Sequence, residues 1–247
     1  VGLLDDFGAM TPVQKLMGQS LAAIVLVKSG IYIKLEFIPV WLAIPLTVLW
    51  IVAVTNALNI IDILDGLAAG VATIAALSIA IANFMAQRYA VTLMSLILAG
   101  AVLGFLRHNF HPARIYLGDA GSLFIGFMLA ALSMNAGYTR ANLLAVISPV
   151  LILGIPLFDL ALVMWIRWSN GIPVTKGSPD HLALRLRRCK LSVGETAVTT
   201  YIVAVLLSAA ALLMSQVPLG WAMVTMGGML SLAGLSAFLL MKVDMRP

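Results

Sequence analysis

From Leu16 to Met241 the chain is a succession of eight apolar runs, each of bilayer-crossing length, joined by short polar connections. They are Leu16–Ile33, Phe37–Thr55, Leu67–Ala86, Tyr89–Leu106, Ser122–Tyr138, Leu143–Trp168, Ala197–Ser215 and Leu219–Met241. About 20 apolar residues span the hydrocarbon of a membrane. Inside that hydrocarbon a segment must satisfy its own backbone, which a helix does. The expected fold is therefore an all-α integral membrane protein of about eight transmembrane helices, with 1–247 as one domain. Lys28 interrupts the first run. Between the first two, Ile31 to Phe37 partly alternates apolar and polar, which predicts a short extracytoplasmic strand or hairpin.

Composition excludes the main rival class. Of 247 residues 62% are hydrophobic and 10% charged, against about 25% charged in soluble domains. The excess of 15 Lys+Arg over 10 Asp+Glu suggests no nucleic-acid partner, because in a membrane protein such charges orient the loops. Lys15, Arg107, Arg114, Arg167, Lys176, Arg185, Arg187, Arg188, Lys190, Lys242 and Arg246 fall in the termini and alternate loops that share one side. Lys28, Lys34, Arg88 and Arg140 fall on the other. This bias places the first side, and both termini, in the cytoplasm. The single cysteine, Cys189, excludes an internal disulfide. The chain starts at Val1 without a signal-peptide pattern and reads as a fragment or as a protein with its start removed.

The acidic residues sort with the bases. Asp5, Asp6, Asp62, Asp65, Asp119, Asp180, Glu195 and Asp244 fall on the cytoplasmic side; Glu36 lies opposite and Asp159 lies within a span. Carboxylates beside bases at a membrane surface suit a divalent metal and a phosphorylated ligand. The densest cluster is Asn56-Ala-Leu-Asn-Ile-Ile-Asp-Ile-Leu-Asp-Gly66, with two amides (Asn56, Asn59) and two carboxylates (Asp62, Asp65) between two apolar runs. Four such groups exceed what helix capping needs, and stranding them in hydrocarbon costs several kcal/mol each. Gly2-Leu-Leu-Asp-Asp6, followed by Lys15 and Gln19, reads either as a solvated turn before a helix or as functional acid. Asn109-Phe-His-Pro-Ala-Arg-Ile-Tyr-Leu-Gly-Asp-Ala-Gly-Ser122 reads either as a glycine turn with an aspartate cap or as a close backbone approach to a ligand at a helix N-terminus. In the loop after Ser169, His181 stands in a turn beside Asp180, ahead of Arg185, Arg187 and Arg188. Asp159 is read as a buried partner of Arg167 or a group behind the site. His108 and His111 are read as interfacial.

In combination these motifs resemble the polyprenyl-phosphate N-acetylhexosamine-1-phosphate transferases, of the glycosyltransferase family 4 type. The matching stretches are Gly-x-x-Asp-Asp with Lys15 and Gln19, Asn-Ala-x-Asn-x-x-Asp-x-x-Asp-Gly-Leu-Ala, Asn109 through Leu-Gly-Asp-x-Gly-Ser122, and Pro156-x-x-Asp159 followed by Asp-His and Arg-Leu. They run in family order from residue 2 to about 190. The resemblance implies transfer of a sugar 1-phosphate from a UDP-N-acetylhexosamine to polyprenyl (undecaprenyl) phosphate in the membrane. UMP would be released, Mg²⁺ (or Mn²⁺) would be needed, and the reaction would open cell-envelope glycan or lipid-linked oligosaccharide synthesis at the inner membrane. It also implies roles. Asp119 is the principal metal ligand, with Asp62 as a second. Asp5 and Asp6 face the lipid phosphate, and His181 lies near the pyrophosphate. Asn56, Asn59, Asp65, Asn109, Lys15 and Arg185 bind substrate, and Tyr116 approaches the uracil. The turn Gly177-Ser-Pro-Asp-His181 looks more like the branch that uses UDP-GlcNAc than the branch that uses UDP-MurNAc-pentapeptide. A homodimer is among the expected assemblies.

The pattern departs from the family in three places. Ile63 stands where the family has glycine, Leu184 stands where relatives carry another histidine, and the family's spans upstream of the double aspartate are not in this sequence. An inactive homologue serving as a membrane scaffold, and a transporter with an acidic vestibule, remain alternative readings.

Overall fold

The computed structural model describes residues 1–35, 37–134, 138, 142–171 and 180–243. Glu36, Arg140, Lys176, the turn residues 177–179, Asp244 and Arg246 therefore lie outside the described residues. Helices α1 (Gly2–Asp6), α2 (Pro12–Lys28), α3 (Val40–Ile60), α4 (Leu67–Met85), α5 (Tyr89–Asn109) and α6 (Gly118–Ser133) make the first half. A 3₁₀ turn, Leu143–Ile147, leads into α7 (Ser148–Ile152), α8 (Gly154–Ser169), α9 (Leu182–Arg188), α10 (Val193–Met214) and α11 (Leu219–Met241).

Each of the eight apolar runs contains helix, and among the described residues five helices are long and apolar enough to cross a membrane, or six if the bent pair around Leu153 is one span. Among the described residues the expected count of eight is not confirmed, for local reasons. Helix α2 stops at Lys28 after 17 residues. Helix α6 has 16, about 24 Å at 1.5 Å per residue, short of a hydrocarbon core of about 30 Å. The sixth run breaks at Leu153, and its halves diverge by 78°. Pro156 lies in the first turn of α8, where it has no N–H to give the carbonyl of Ile152, so the chain cannot continue α7 straight into α8.

No strand forms among the described residues, so the strand or hairpin expected over Ile31–Phe37 is corrected. That stretch is an irregular strap laid on α3. The Ile33 N–H donates to Thr47 Oγ1 at 3.0 Å, and Thr47 is buried.

Helix α4 is the hub. Its surface carries Ala68, Ala69, Gly70, Ala72, Ala75, Ala76 and Ala80, all buried. Lipid tails are as apolar as leucine, so association here rests on close van der Waals contact, which small residues permit. A Cβ on Gly70 would stand 2.1 Å from the Tyr201 ring, and one on Gly126 would stand 2.8 Å from the Thr55 Cα. These two glycines set the approach of α10 to α4 and of α6 to α3. Gly70→Leu is expected to lower the thermal midpoint in detergent by well over 5 °C. Overpacking of this kind costs roughly 1–3 kcal/mol or more. Gly100→Leu, where nothing lies within 4 Å of the added Cβ, serves as the matched control with a shift near zero. Helix α11 is peripheral, with Ala222 as its buried residue.

Candidate functional site

The start of the chain is built to reach α6. Gly2 packs so closely that a Cβ would sit 2.5 Å from the Ala120 Cα and the Asp119 carbonyl oxygen. Four residues on, Asp6 caps α6 from outside the helix. Its Oδ1 accepts the Asp119 N–H at 2.7 Å and its Oδ2 accepts the Ala120 N–H at 3.0 Å. The first N–H groups of a helix lack partners within it, and a carboxylate there also meets the positive end of the helix dipole. Gly118 makes room for this cap: its φ is +64°, and a Cβ would lie 3.0 Å from Asp6 Oδ1. The backbone approach that the sequence suggests for a ligand is thus taken by Asp6.

Helix α2 delivers the counter-charge. Thr11 and Gln14 form a reciprocal capping box, with Pro12 in the first turn. Helix initiation is fixed at Thr11, and Lys15 projects one turn later. Its Nζ lies 2.5 Å from Asp5 Oδ2, 3.2 Å from Asp119 Oδ2 and 2.9 Å from Asn59 Oδ1. From the end of α3, Asn59 donates to Asp119 Oδ1 at 2.5 Å and to Ser122 Oγ at 2.8 Å. One turn back along α3, Asn56 Nδ2 donates to Gln19 Oε1 at 2.5 Å. Residues from four separated segments therefore share one network: Asp5, Lys15, Asn59 and Asp119.

The electrostatics follow from that geometry. Hydrogen bonding to the adjacent Asp119 carboxyl, then to the Lys15 ammonium, holds the Asp5 carboxyl below the usual carboxylate range. Asp62 goes the other way. Burial, and then the negative charge of Asp119, push it up to about 6. Asp5 and Asp119 both meet Lys15, and Asp62 lies within reach of the Asp119 charge, so the cluster is anionic when all three carboxyls are ionised.

A magnesium ion would find two carboxylates here, Asp62 and Asp119. Asp62 and Asp119 are near enough to repel, and a dication would relieve that repulsion. Mg²⁺ ordinarily takes one or two carboxylates and completes its shell with phosphates and water. Among the described residues no group of three or more histidine, cysteine, aspartate or glutamate side chains is arranged to hold a metal ion. The folded chain holds Asp62 protonated up to about pH 6, against an ordinary value of 3.8. Between those values the folded state binds more protons than the unfolded one, so stability falls as pH rises. Metal-free wild type should lose thermal stability between pH 4.5 and 7 more steeply than Asp62→Asn. Differential scanning fluorimetry of both, in parallel, checks the sign.

Two further groups flank the cluster. Asp65 Oδ2 meets His111 Nδ1 at 2.8 Å and the Ala113 N–H at 3.1 Å. Those bonds, the His111 one first, hold the Asp65 carboxyl below its ordinary value. Asn109 accepts the Gly66 N–H at 3.1 Å and donates to the Ile115 carbonyl at 2.9 Å. Tyr201 donates to the Gly66 carbonyl at 2.6 Å. Asp65 and Asn109 thus tie the loop after α3 to the loop before α6. Tyr116, 76% exposed on that second loop, is open to a ligand.

On the other flank Asp159, 1% exposed, accepts the Leu182 N–H at 2.5 Å and lies 2.9 Å from His181 Nδ1. Asp159 and Leu182 share a small gap with Ile61 and Ile63, so this pair adjoins the Asp62 loop. Arg185 is 4% exposed. Its guanidinium donates to Asp180 Oδ1 at 2.7 Å and to the carbonyls of Leu240 and Val243 at 2.7 and 3.2 Å. It thereby ties the end of α11 to the His181 turn. Leu184 is half-buried within α9. Ile63 is exposed and does not have a positive φ, so the loop there asks nothing that only glycine could give.

Gln19 and Ser122 stand within the matching motifs but carry no assigned role in the sequence, and in the fold they bond Asn56 and Asn59. Nothing in the sequence linked His111 to Asp65.

The fold and the site define a polytopic helical membrane protein with a cluster of acidic side chains at one end of its bundle. Residues 1–137 match the family described as Glycosyl transferase family 4. The chain is 35% identical over 226 residues to the probable undecaprenyl-phosphate N-acetylglucosaminyl 1-phosphate transferase of Bacillus subtilis, covering 87% of this chain and 63% of that protein. It is 37% identical over 215 residues to the decaprenyl-phosphate N-acetylglucosaminephosphotransferase of Mycobacterium tuberculosis, covering 75% and 53%. A phospho-N-acetylmuramoyl-pentapeptide-transferase of Clostridium botulinum is 46% identical over 91 residues, 37% of this chain and 28% of that one. The chain belongs to glycosyltransferase family 4. It spans less than two thirds of the length of each of these relatives.

Proposed function

We propose that this chain carries the catalytic end of an enzyme that transfers N-acetylglucosamine 1-phosphate from UDP-GlcNAc to polyprenyl phosphate. The observation that carries this reading is the network of Asp5, Lys15, Asn59 and Asp119 at one end of a membrane bundle. The two long-matching relatives are named for GlcNAc transfer, which supports the choice of sugar. The loop charge bias supports a cytoplasmic placement of this end, in the plasma (inner) membrane.

In the reaction an oxygen of the lipid phosphate attacks the sugar-bearing phosphorus of UDP-GlcNAc. A new P–O bond forms, the bond from that phosphorus to the bridging oxygen breaks, and UMP leaves with the bridging oxygen. The second pKa of a phosphate monoester is about 6, so the nucleophile is already largely ionised at neutral pH. A base is therefore not demanded of Asp5, and its depressed pKa suits an anchor better than a proton acceptor. Lys15 offsets the charge of Asp5 and Asp119, and Asn59 fixes the rotamer of Asp119. Magnesium, held by Asp119 and Asp62, would neutralise charge on the pyrophosphate oxygens. Asp65, His111 and Asn109 hold the loop that presents Tyr116 to the nucleotide.

The test supplies purified protein with undecaprenyl phosphate, UDP-GlcNAc and Mg²⁺ and measures UMP. Release that depends on both substrates and stops with EDTA is expected. EDTA-resistant release, or release without the lipid, would overturn the reading.

A further inference from the structure

A cavity lies away from the carboxylates, at the opposite end of the bundle. Its volume is about 510 Å³, within the roughly 300–1,000 Å³ range of small-molecule sites. Leu46, Leu49, Trp50 and Ala53 of α3 form one wall, and Val146, Pro149 and Val150 at the bent span form another. Ser133 and Met134, at the C-terminal end of α6, close it on a third side. Asp119 begins that same helix, so about 21 Å of helix rise separates the cavity from the acidic site.

Two features single out the occupant. Leu46, Leu49 and Val150 line the cavity and are also exposed on the outer surface of the bundle. The cavity therefore opens sideways, where acyl chains run in a bilayer. Lys34 and Arg88 also line it, and among the described lining residues none is acidic. Both cations are exposed but set on anchored backbone. Lys34 Nζ rests 4.9 Å from the Tyr32 ring centroid. The Arg88 N–H donates to the Asn83 carbonyl at 2.9 Å, and its carbonyl accepts from Thr92 Oγ1 at 3.1 Å. An apolar chamber open to lipid with two cations in its wall matches an amphiphile with an anionic head.

We infer that this cavity is a binding site for one anionic phospholipid of the leaflet away from the acidic site. An acyl chain enters past Leu49 and Val150, and the phosphate lies between Lys34 and Arg88. The site is independent of the transfer reaction, since none of its residues belongs to the carboxylate network.

The test reconstitutes purified protein in nanodiscs of equal phosphatidylglycerol and phosphatidylcholine with identical acyl chains. The protein is then moved into detergent, and retained lipid is quantified by mass spectrometry. Wild type should retain phosphatidylglycerol over phosphatidylcholine on the order of tenfold, two basic residues being engaged. Lys34→Gln with Arg88→Gln should bring the ratio near one, while Lys34→Arg with Arg88→Lys should keep it. Ala53→Phe, which fills the chamber, should reduce retention of both lipids. If the paired glutamine variant does not fold, each single variant should still lower the ratio by at least twofold. No enrichment in wild type, or enrichment that survives both glutamine changes, would overturn the inference. So would stoichiometric displacement of phosphatidylglycerol by undecaprenyl phosphate, which would make the chamber a seat for the acceptor tail.

Discussion

Asp119→Asn is expected to lower the rate of UMP release by roughly 10²- to 10³-fold, the range seen when one preorganised electrostatic partner of a reacting centre is removed. The change is nearly isosteric. The Asp119 main-chain N–H still meets Asp6, and α6 keeps its cap, so the fold should survive. What is lost is a negative oxygen 3.2 Å from Lys15 and one of two carboxylates available to a dication. An amide at that position can also turn its NH₂ toward Lys15 or toward the donating Asn59 amide, placing donors against donors. The loss should appear in kcat at saturating substrate. A fall confined to KM would mean that Asp119 serves ground-state binding alone.

The second large effect is at Lys15. Lys15→Met keeps the length of the stem and removes the one cation among Asp5, Asp119 and Asn59 Oδ1. Two carboxylates then stand together without compensation, and breaking a buried charged network in this way costs several kcal/mol. Lys15 keeps 16% side-chain exposure, so solvent recovers part of that. A destabilisation of about 1–3 kcal/mol is expected, with at least a hundredfold loss of turnover. Raising Mg²⁺ should restore stability before it restores rate, because a dication can replace the charge but not the hydrogen bond to Asn59. Lys15→Arg is expected to fall between, since a planar fork cannot point donors at three separate oxygens as an ammonium does. The checks are thermal midpoints and initial rates across a Mg²⁺ series.

Much of the site was legible because polar groups at the ends of apolar runs have few places to go. The amides and carboxylates of 56–66 had to sit at an end of the bundle, and Lys15 had to face acid. Asp6 was not legible. It adjoins Asp5 in sequence, but on a helix neighbouring side chains point about 100° apart, so one turns to Lys15 and the other to the start of α6. The three arginines of α9 looked alike as loop charge. Packing of α11 against α9 buries Arg185 and leaves Arg187 and Arg188 exposed. His111 read as interfacial because its partner, Asp65, lies 46 residues away and meets it only when two loops close. In the fold, helical content followed from hydropathy, but run length overstated the crossings. The break of 78° at Leu153 comes with proline placement at Pro156, which hydropathy averages away.

The central claim is that Asp119 and Asp62 together face one cation beside Lys15. Mn²⁺, a spectroscopic substitute for Mg²⁺, can be titrated into purified protein at pH 7.5 with UDP-GlcNAc present, and bound metal read by electron paramagnetic resonance. One site per chain is expected in wild type and in Asp65→Asn, with binding weakened at least tenfold in both Asp119→Asn and Asp62→Asn. Unchanged Mn²⁺ binding in those two variants, with thermal midpoints intact, would contradict it.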